Sequence, residues 1–177
     1  MVINVSSIVY ANTNTSLLEG LNDAVQLNFK NGDKYEGQVK YCIIRNKKEN
    51  CMHGLGIYSH QNSYYYKGSF KNNKTHGYGL YSSINGQSYV GNFKEGNIEG
   101  EGVMTYPDRR IYRGYFKNNN KDGYGVMSYP EGEIYGEGSR YEGEWKNNKR
   151  DGRGVMIYLD NGRRLEGVFK ENIFVGE

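Results

Sequence analysis

At 177 residues the chain has room for one domain or one array of repeats. Its 23 basic and 20 acidic residues leave a net charge of +3, too near balance to call for nucleic acid. With 25 Gly and 18 Tyr beside only 2 Pro, Leu, Ile, Val and Phe are too sparse for a deep two-layer core, yet aromatics are too plentiful for disorder.

The first stretch, residues 1–22, reads as an N-terminal extension. "MVINVSSIVYANTNTS" lacks a basic start, is poor in Arg, and has its apolar run broken by Asn and Ser. It is read as neither a secretory nor a mitochondrial leader. No apolar run in the chain approaches the roughly 18–20 residues of a membrane-spanning helix.

Repetition begins at about residue 23 and runs to 177. "VQLNFKNGDKYEG" reads as a half-copy in which Phe29 stands where later copies place Tyr106 and Tyr129. Tyr35, Gly37 and Val39 open the first copy, whose Gly54 and Gly56 are delayed by an eight-residue insertion within the stretch "YCIIRNKKENCMH". Four close copies follow from Tyr66, Tyr89, Tyr112 and Tyr141, the first three starts spaced by 23 residues. In each, a Gly comes two residues after the Tyr (Gly68, Gly91, Gly114, Gly143) and a bulky ring four after it (Phe70, Phe93, Phe116, Trp145). Gly-x-Gly follows eleven residues after the Tyr, at Gly77, Gly100, Gly123 and Gly152 with their partners Gly79, Gly102, Gly125 and Gly154. Leu165, Gly167 and Phe169 open a last copy that reads as ending before a second strand. This makes about six copies, the last incomplete.

Each copy alternates with period two, the signature of strands. Tyr112, Gly114 and Phe116 share one face; Arg113, Tyr115 and Lys117 share the other. "KNNNKDG", rich in residues that tolerate left-handed backbone, reads as the hairpin loop, and "YPDR" or "YPEG" as the link to the next hairpin. Rings and glycines fall on one face, so a glycine leaves space for a ring to lie across the backbone. The expectation is an all-β protein: an elongated single-layer antiparallel sheet of consecutive β-hairpins, about 11–12 strands, in which each hairpin is covered by its neighbours.

The cycle Tyr-x-Gly-x-(Phe/Trp), Asn/Gly-rich loop, Gly-x-Gly, Tyr-Pro-(Asp/Glu) resembles the MORN repeat (membrane occupation and recognition nexus), over residues 23–177. The resemblance implies a curved or U-shaped antiparallel sheet with a groove, and scaffolding roles such as those in ciliary radial spokes or the parasite cytoskeleton. Nothing in the chain resembles the lipid kinase or SET domains to which such arrays are sometimes fused.

Candidate sites follow from this reading. A partner-binding groove is expected on the ring face at Tyr89, Phe93, Tyr112, Phe116, Tyr141 and Trp145, with rings left partly exposed above the glycines. A partner-binding edge is expected at Arg163, Leu165, Val168 and Phe169, because a last copy without its second strand leaves backbone groups unpaired for another protein or a second copy of this one. Lys71, Lys74, Lys117, Lys121, Lys146, Lys149 and Arg150 sit in matching loops and make a candidate edge for anionic phospholipid, though Glu95, Glu99, Asp122 and Asp151 interrupt it. Loop residues such as Lys117 and Asn119 are expected to be ordinary surface positions.

Cys42 and Cys51 are read as two thiols in one loop of a protein kept in a reducing compartment, with a cross-loop disulfide as the alternative under oxidising conditions; with His53 they match no zinc spacing. His53 and His76 occupy a polar turn position, and His60 stands where other copies carry Tyr. No nucleophile and base pair up outside the repeat pattern, and the Gly-x-Gly pairs open strands rather than helices. The sequence therefore points to a protein that is not an enzyme, binds no cofactor, metal or nucleic acid, and acts as a cytoplasmic protein-interaction scaffold, in a cytoskeletal or ciliary axonemal assembly. Anionic lipid is the alternative partner.

Overall fold

A computed structural model describes residues 8–12, 24–131 and 138–177. Among these the protein is all β. Its strands are β1 (Ile8–Asn12), β2 (Val25–Phe29), β3 (Lys34–Ile44), β4 (Lys47–His60), β5 (Tyr64–Lys71), β6 (Lys74–Ser83) and β7 (Ser88–Lys94), followed by β8 (Asn97–Thr105), β9 (Ile111–Lys117), β10 (Asn120–Tyr129), β11 (Ser139–Lys146), β12 (Lys149–Tyr158), β13 (Arg164–Lys170) and β14 (Ile173–Gly176). They form one antiparallel sheet of 14 strands in chain order. Contacts divide the chain into two compact units, residues 1–85 with 92–97 and residues 86–91 with 98–177.

The hairpins close more tightly than "KNNNKDG" suggests. Lys117 pairs with Asn120, leaving only Asn118 and Asn119 in the turn, with φ of 47° and 67°. Two successive positive φ angles make a type I′ turn, whose twist matches that of the flanking strands and which Asn tolerates well. Asn72–Asn73 and Asn147–Asn148 repeat this. The residues after the turn, including Lys121, therefore belong to strands.

The second turn residue also sews hairpin to hairpin. Asn119 N–H donates to Ile98 O at 3.0 Å, and its side-chain oxygen accepts from Ile98 N–H at 2.8 Å. Asn148 does the same on Lys121 (3.0 and 2.9 Å), and Asn172 on Arg150 (2.9 and 2.9 Å). The acidic residue before Gly-x-Gly adds a third bond: Glu99 accepts from Asn118 N–H at 2.9 Å and Asp151 from Glu171 N–H at 3.2 Å. Asn119 is thus a joint between strands, which corrects its reading as an ordinary surface position.

Tyrosine and glycine make the core. The Tyr112 ring lies across Gly125 of the paired strand, and its hydroxyl donates to Tyr115 O at 3.0 Å. A Cβ on Gly125 would sit 2.5 Å from Tyr112 Cζ, and one on Gly114 2.5 Å from Gly125 Cα. The first glycine of the pair serves the backbone instead. Gly123, with φ of 104°, absorbs the register shift between Lys121 and Gly125. Tyr35 with Gly56, Tyr66 with Gly79 and Tyr141 with Gly154 repeat the Tyr112–Gly125 arrangement. The Phe or Trp of each copy then stands edge-on between tyrosines. In the first unit Phe70 meets Tyr35 at 5.1 Å and Tyr66 at 5.0 Å. In the second, Trp145 meets Tyr112 at 5.4 Å and Tyr141 at 5.3 Å, near-perpendicular in both cases. Edge-to-face pairs of this kind contribute about 0.5–1.5 kcal/mol each beyond the area they bury.

Three features depart from expectation. The strand count of 14 exceeds the expected 11–12 because β1 pairs with β2 and the last copy does have its second strand. β14 pairs Lys170 with Ile173 and Phe169 with Phe174, so β13 lies between β12 and β14. The edge expected at Arg163, Leu165, Val168 and Phe169 is accordingly not the sheet's unpaired margin: "ENIFVG" was too short to look like a strand, but a two-residue turn at Glu171–Asn172 needs no more. Finally, the insertion is no loop. It lengthens β3 and β4 to 11 and 14 residues, turning at Arg45–Asn46.

Candidate functional site

The strand alternation gives each unit two unlike faces. On the ring face the side chains cover one another: Tyr89, Tyr112 and Tyr141 are 0 % exposed, and Phe93, Phe116 and Trp145 are 7 %, 4 % and 5 % exposed. Trp145 is further held by its indole N–H, which donates to Gly125 O at 3.1 Å. Burial pushes the phenols of Tyr66 and Tyr112 well above their ordinary range and that of Tyr141 up to about 12. These six rings were expected to stand partly exposed in a groove. They are core instead, because a Tyr laid flat on glycine leaves a slot that the next ring fills edge-on.

The opposite face is open. In the second unit it carries Tyr115 and Tyr124, 45 % and 56 % exposed; in the first, Tyr78 is 63 % exposed. Tyr78 and Tyr124 both occupy the middle of Gly-x-Gly, where the strand must aim its side chain away from the rings. The Glu101 carboxylate hydrogen-bonded to Tyr115 pushes that phenol upward. Beside Tyr124 lies an open depression of about 360 Å³. Gly143, Gly154 and Gly167 lie in register along its floor, and Glu142, Arg153, Val155, Arg164 and Glu166 line its sides. Arg140 pairs with Glu142 at 3.0 Å and Arg164 with Glu166 at 3.6 Å, so both charge signs are present there. The arrangement offers a ring, backbone and paired charges to something polar and extended.

The profile of the MORN repeat matches residues 66–88, 89–109, 112–134 and 141–163. The chain belongs to the MORN-repeat family. No curated protein sequence matches it. Among solved structures it is similar to the SAS-4 (dCPAP) TCP domain of Drosophila melanogaster, solved in complex with a proline rich motif of Ana2 (dSTIL), at 14 % identity over 90 % of each chain, with a TM-score of 0.41. A likeness that remote carries no argument about this chain.

The MORN turns leave only part of the basic edge that the sequence suggested exposed. Lys121, placed in a strand by the tight turn, is only 8 % exposed. Its ammonium lies 4.6 Å from the Trp145 ring centroid and 5.6 Å from that of Tyr112. Burial pushes its pKa down to about 8, with Arg110 adding to the shift, while the ring faces pull the other way by attracting the cation. Arg150 takes the matching place over Tyr141 and Phe169, at 5.6 and 5.4 Å. Lys74 pairs with Glu95 and Lys149 with Glu171, each at 3.1 Å. Lys71, Lys117 and Lys146 remain exposed.

Cys42 and Cys51 are joined in a disulfide across β3 and β4, their Cα atoms 6.0 Å apart. The reading as two thiols in a loop is corrected: once the insertion is strand, both side chains fall on one face of adjacent strands. The histidines stay close to the turns. His76 Nδ1 is 3.8 Å from Glu95 Oε1, and burial lowers the His53 pKa. His60 belongs to a cluster that the sequence did not reveal. The buried Asp33 carboxylate has His60 Nδ1 at 2.6 Å, accepts from Asn31 Nδ2 at 2.7 Å, and accepts from the Tyr58 hydroxyl. It ties the β2–β3 turn to the end of β4. The only trace in sequence is "NGDKY", which reads equally well as a plain turn.

Proposed function

We propose that this MORN-repeat chain is a non-catalytic scaffold that binds a protein partner through its open face, in a cytoskeletal or ciliary axonemal assembly. One observation carries the binding surface. The ring face is closed by its own side chains, whereas the open face leaves Tyr115 and Tyr124 uncovered beside a depression lined by charges of both signs. Exposed Tyr contributes contact area at low entropic cost and is enriched where proteins meet. The cytoskeletal setting rests on the roles the family resemblance implies, and the paired cysteines remove the argument for a reducing compartment.

The test is capture from native extract with the intact chain and with Tyr115→Ser/Tyr124→Ser. Loss of the captured proteins in the variant, with melting unchanged, supports the open face. Unchanged capture overturns it. Sedimentation with vesicles of phosphatidylcholine and phosphatidylserine separates the alternative: salt-sensitive binding that depends on Lys71, Lys117 and Lys146 would favour anionic lipid over protein.

A further inference from the structure

The first copy departs from the others at its tip. β3 and β4 continue past the level at which the next hairpin turns, pairing Lys40 with Cys51 through Ile44 with Lys47. The neighbouring tip stops at Met52: Asn73 N–H donates to Met52 O at 3.0 Å, and Met52 N–H donates to Asn73 Oδ1 at 2.8 Å. Alternate residues of an antiparallel strand turn both backbone groups to the same side. Asn50 and Lys48 therefore continue the outward edge of Met52, and among the described residues β5 pairs with β4 only from Gly54 onward.

A two-stranded ribbon without a sheet beside it is marginal in water. Here it is stapled where it leaves the sheet, by the Cys42–Cys51 disulfide, and Asn73 Nδ2 approaches Cys51 Sγ at 3.1 Å. The finger is also chemically one-sided. Residues 40–51 carry Lys40, Arg45, Lys47 and Lys48 against Glu49 alone. Tyr41 and Ile43, 68 % and 71 % exposed, share a face with Lys48, whose ammonium sits 4.0 Å from the Tyr41 ring centroid. Lysines on an unpaired edge repel a second copy of that edge and discourage neutral strands. An acidic strand meets the opposite condition: the charges that guard the edge attract it.

We propose that the outer edge of β4 at Lys48–Asn50 accepts, by strand addition, an extended segment of an acidic partner protein in which carboxylates alternate with apolar residues, and that the disulfide keeps this edge presented. The site is separate from the open face, so either can fail without the other.

The experiment uses the oxidised full chain, a synthetic twelve-residue peptide of alternating Glu and Val, and its Lys/Val counterpart as control. Binding is read by fluorescence anisotropy, and backbone amide exchange is read residue by residue. The expected result is binding of the Glu/Val peptide alone, with slowed exchange at the Lys48 and Asn50 amides. Lys47→Glu/Lys48→Glu should exchange the preference to the Lys/Val peptide. Cys42→Ser/Cys51→Ser should weaken binding at least tenfold while the exchange pattern of β9–β12 stays unchanged, showing that the array remains folded. Equal binding of both peptides, or slowed exchange elsewhere than at Lys48 and Asn50, would overturn the proposal. So would binding only to vesicles of 70 % phosphatidylcholine and 30 % phosphatidylserine, or concentration-dependent self-association that slows the same amides without peptide.

Discussion

The copy that starts at Tyr112 and the copy that starts at Tyr35 share a lock but not an outline. Tyr112 lies over Gly125 and donates to Tyr115 O; Tyr35 lies over Gly56 and donates to Gln38 O at 2.6 Å. Yet the first turns after Lys117, while the second runs four residues further on each strand and carries a disulfide. The difference shows where a MORN hairpin tolerates change. The Tyr–Gly lock sits at the middle of the strands and shares atoms with its neighbours. The tip faces water, so extra residues can extend it outward in pairs without disturbing the register of the lock.

The largest effect should come from filling the lock. Gly125→Val and Gly56→Val should each destabilise by about 2–3 kcal/mol, as overpacking against a ring and backbone that cannot withdraw. A Cβ at either position falls 2.5 Å from a Tyr ring atom. Chemical denaturation reads both, and a mild Gly56 variant beside a severe Gly125 variant would mean that the two copies are locked differently.

Lys121 sharpens the comparison because the Tyr35 copy puts the uncharged Met52 in its place. With a folded-state pKa of about 8 against about 10.4 in the unfolded chain, the unfolded chain holds a proton that the folded one has released between those values. Stability should therefore rise with pH across that window, by on the order of 1–2 kcal/mol. The buried phenols act in the opposite direction, their raised values costing stability only as pH climbs above about 10. Urea midpoints at pH 7.5 and 9.5 should show the rise in the native protein and its absence in Lys121→Met. A flat native profile would show that the surrounding rings cancel the cost of burial.

Asn148→Ala removes two things at once: the residue that tolerates a φ of 69°, and the side-chain acceptor of Lys121 N–H. A loss of about 1–2 kcal/mol is expected, and Lys146→Ala beside it should cost under about 0.5 kcal/mol. Equal melting shifts would refute the turn as a joint. Smallest of all, Tyr124→Ser should change stability by less than about 0.5 kcal/mol while reducing partner capture, because its ring is exposed and the Tyr112 ring is not.

Strand alternation, the hairpin unit and the pairing of tyrosines with glycines were all readable in sequence, because each depends on residues within one repeat or the next. The joints at Asn119 and Asn148 were less so, since a run of Asn looks like solvated loop until the two-residue turn assigns each its bond. Lys121 was misplaced for the same reason: shortening the loop by a few residues moves it from water into the ring layer.

The repeat spacing by itself determined that this chain is a MORN array of antiparallel hairpins with rings and glycines on one face. That face had to be apolar because period-two alternation leaves the rings nowhere else to go. Which face stays open, which lysines stay exposed, and whether two cysteines nine residues apart can meet were decided only in three dimensions. Those outcomes depend on how tightly each turn closes and how fully one copy's ring fills the gap left by the next. Both are set by contacts between strands whose distances no spacing in the sequence encodes.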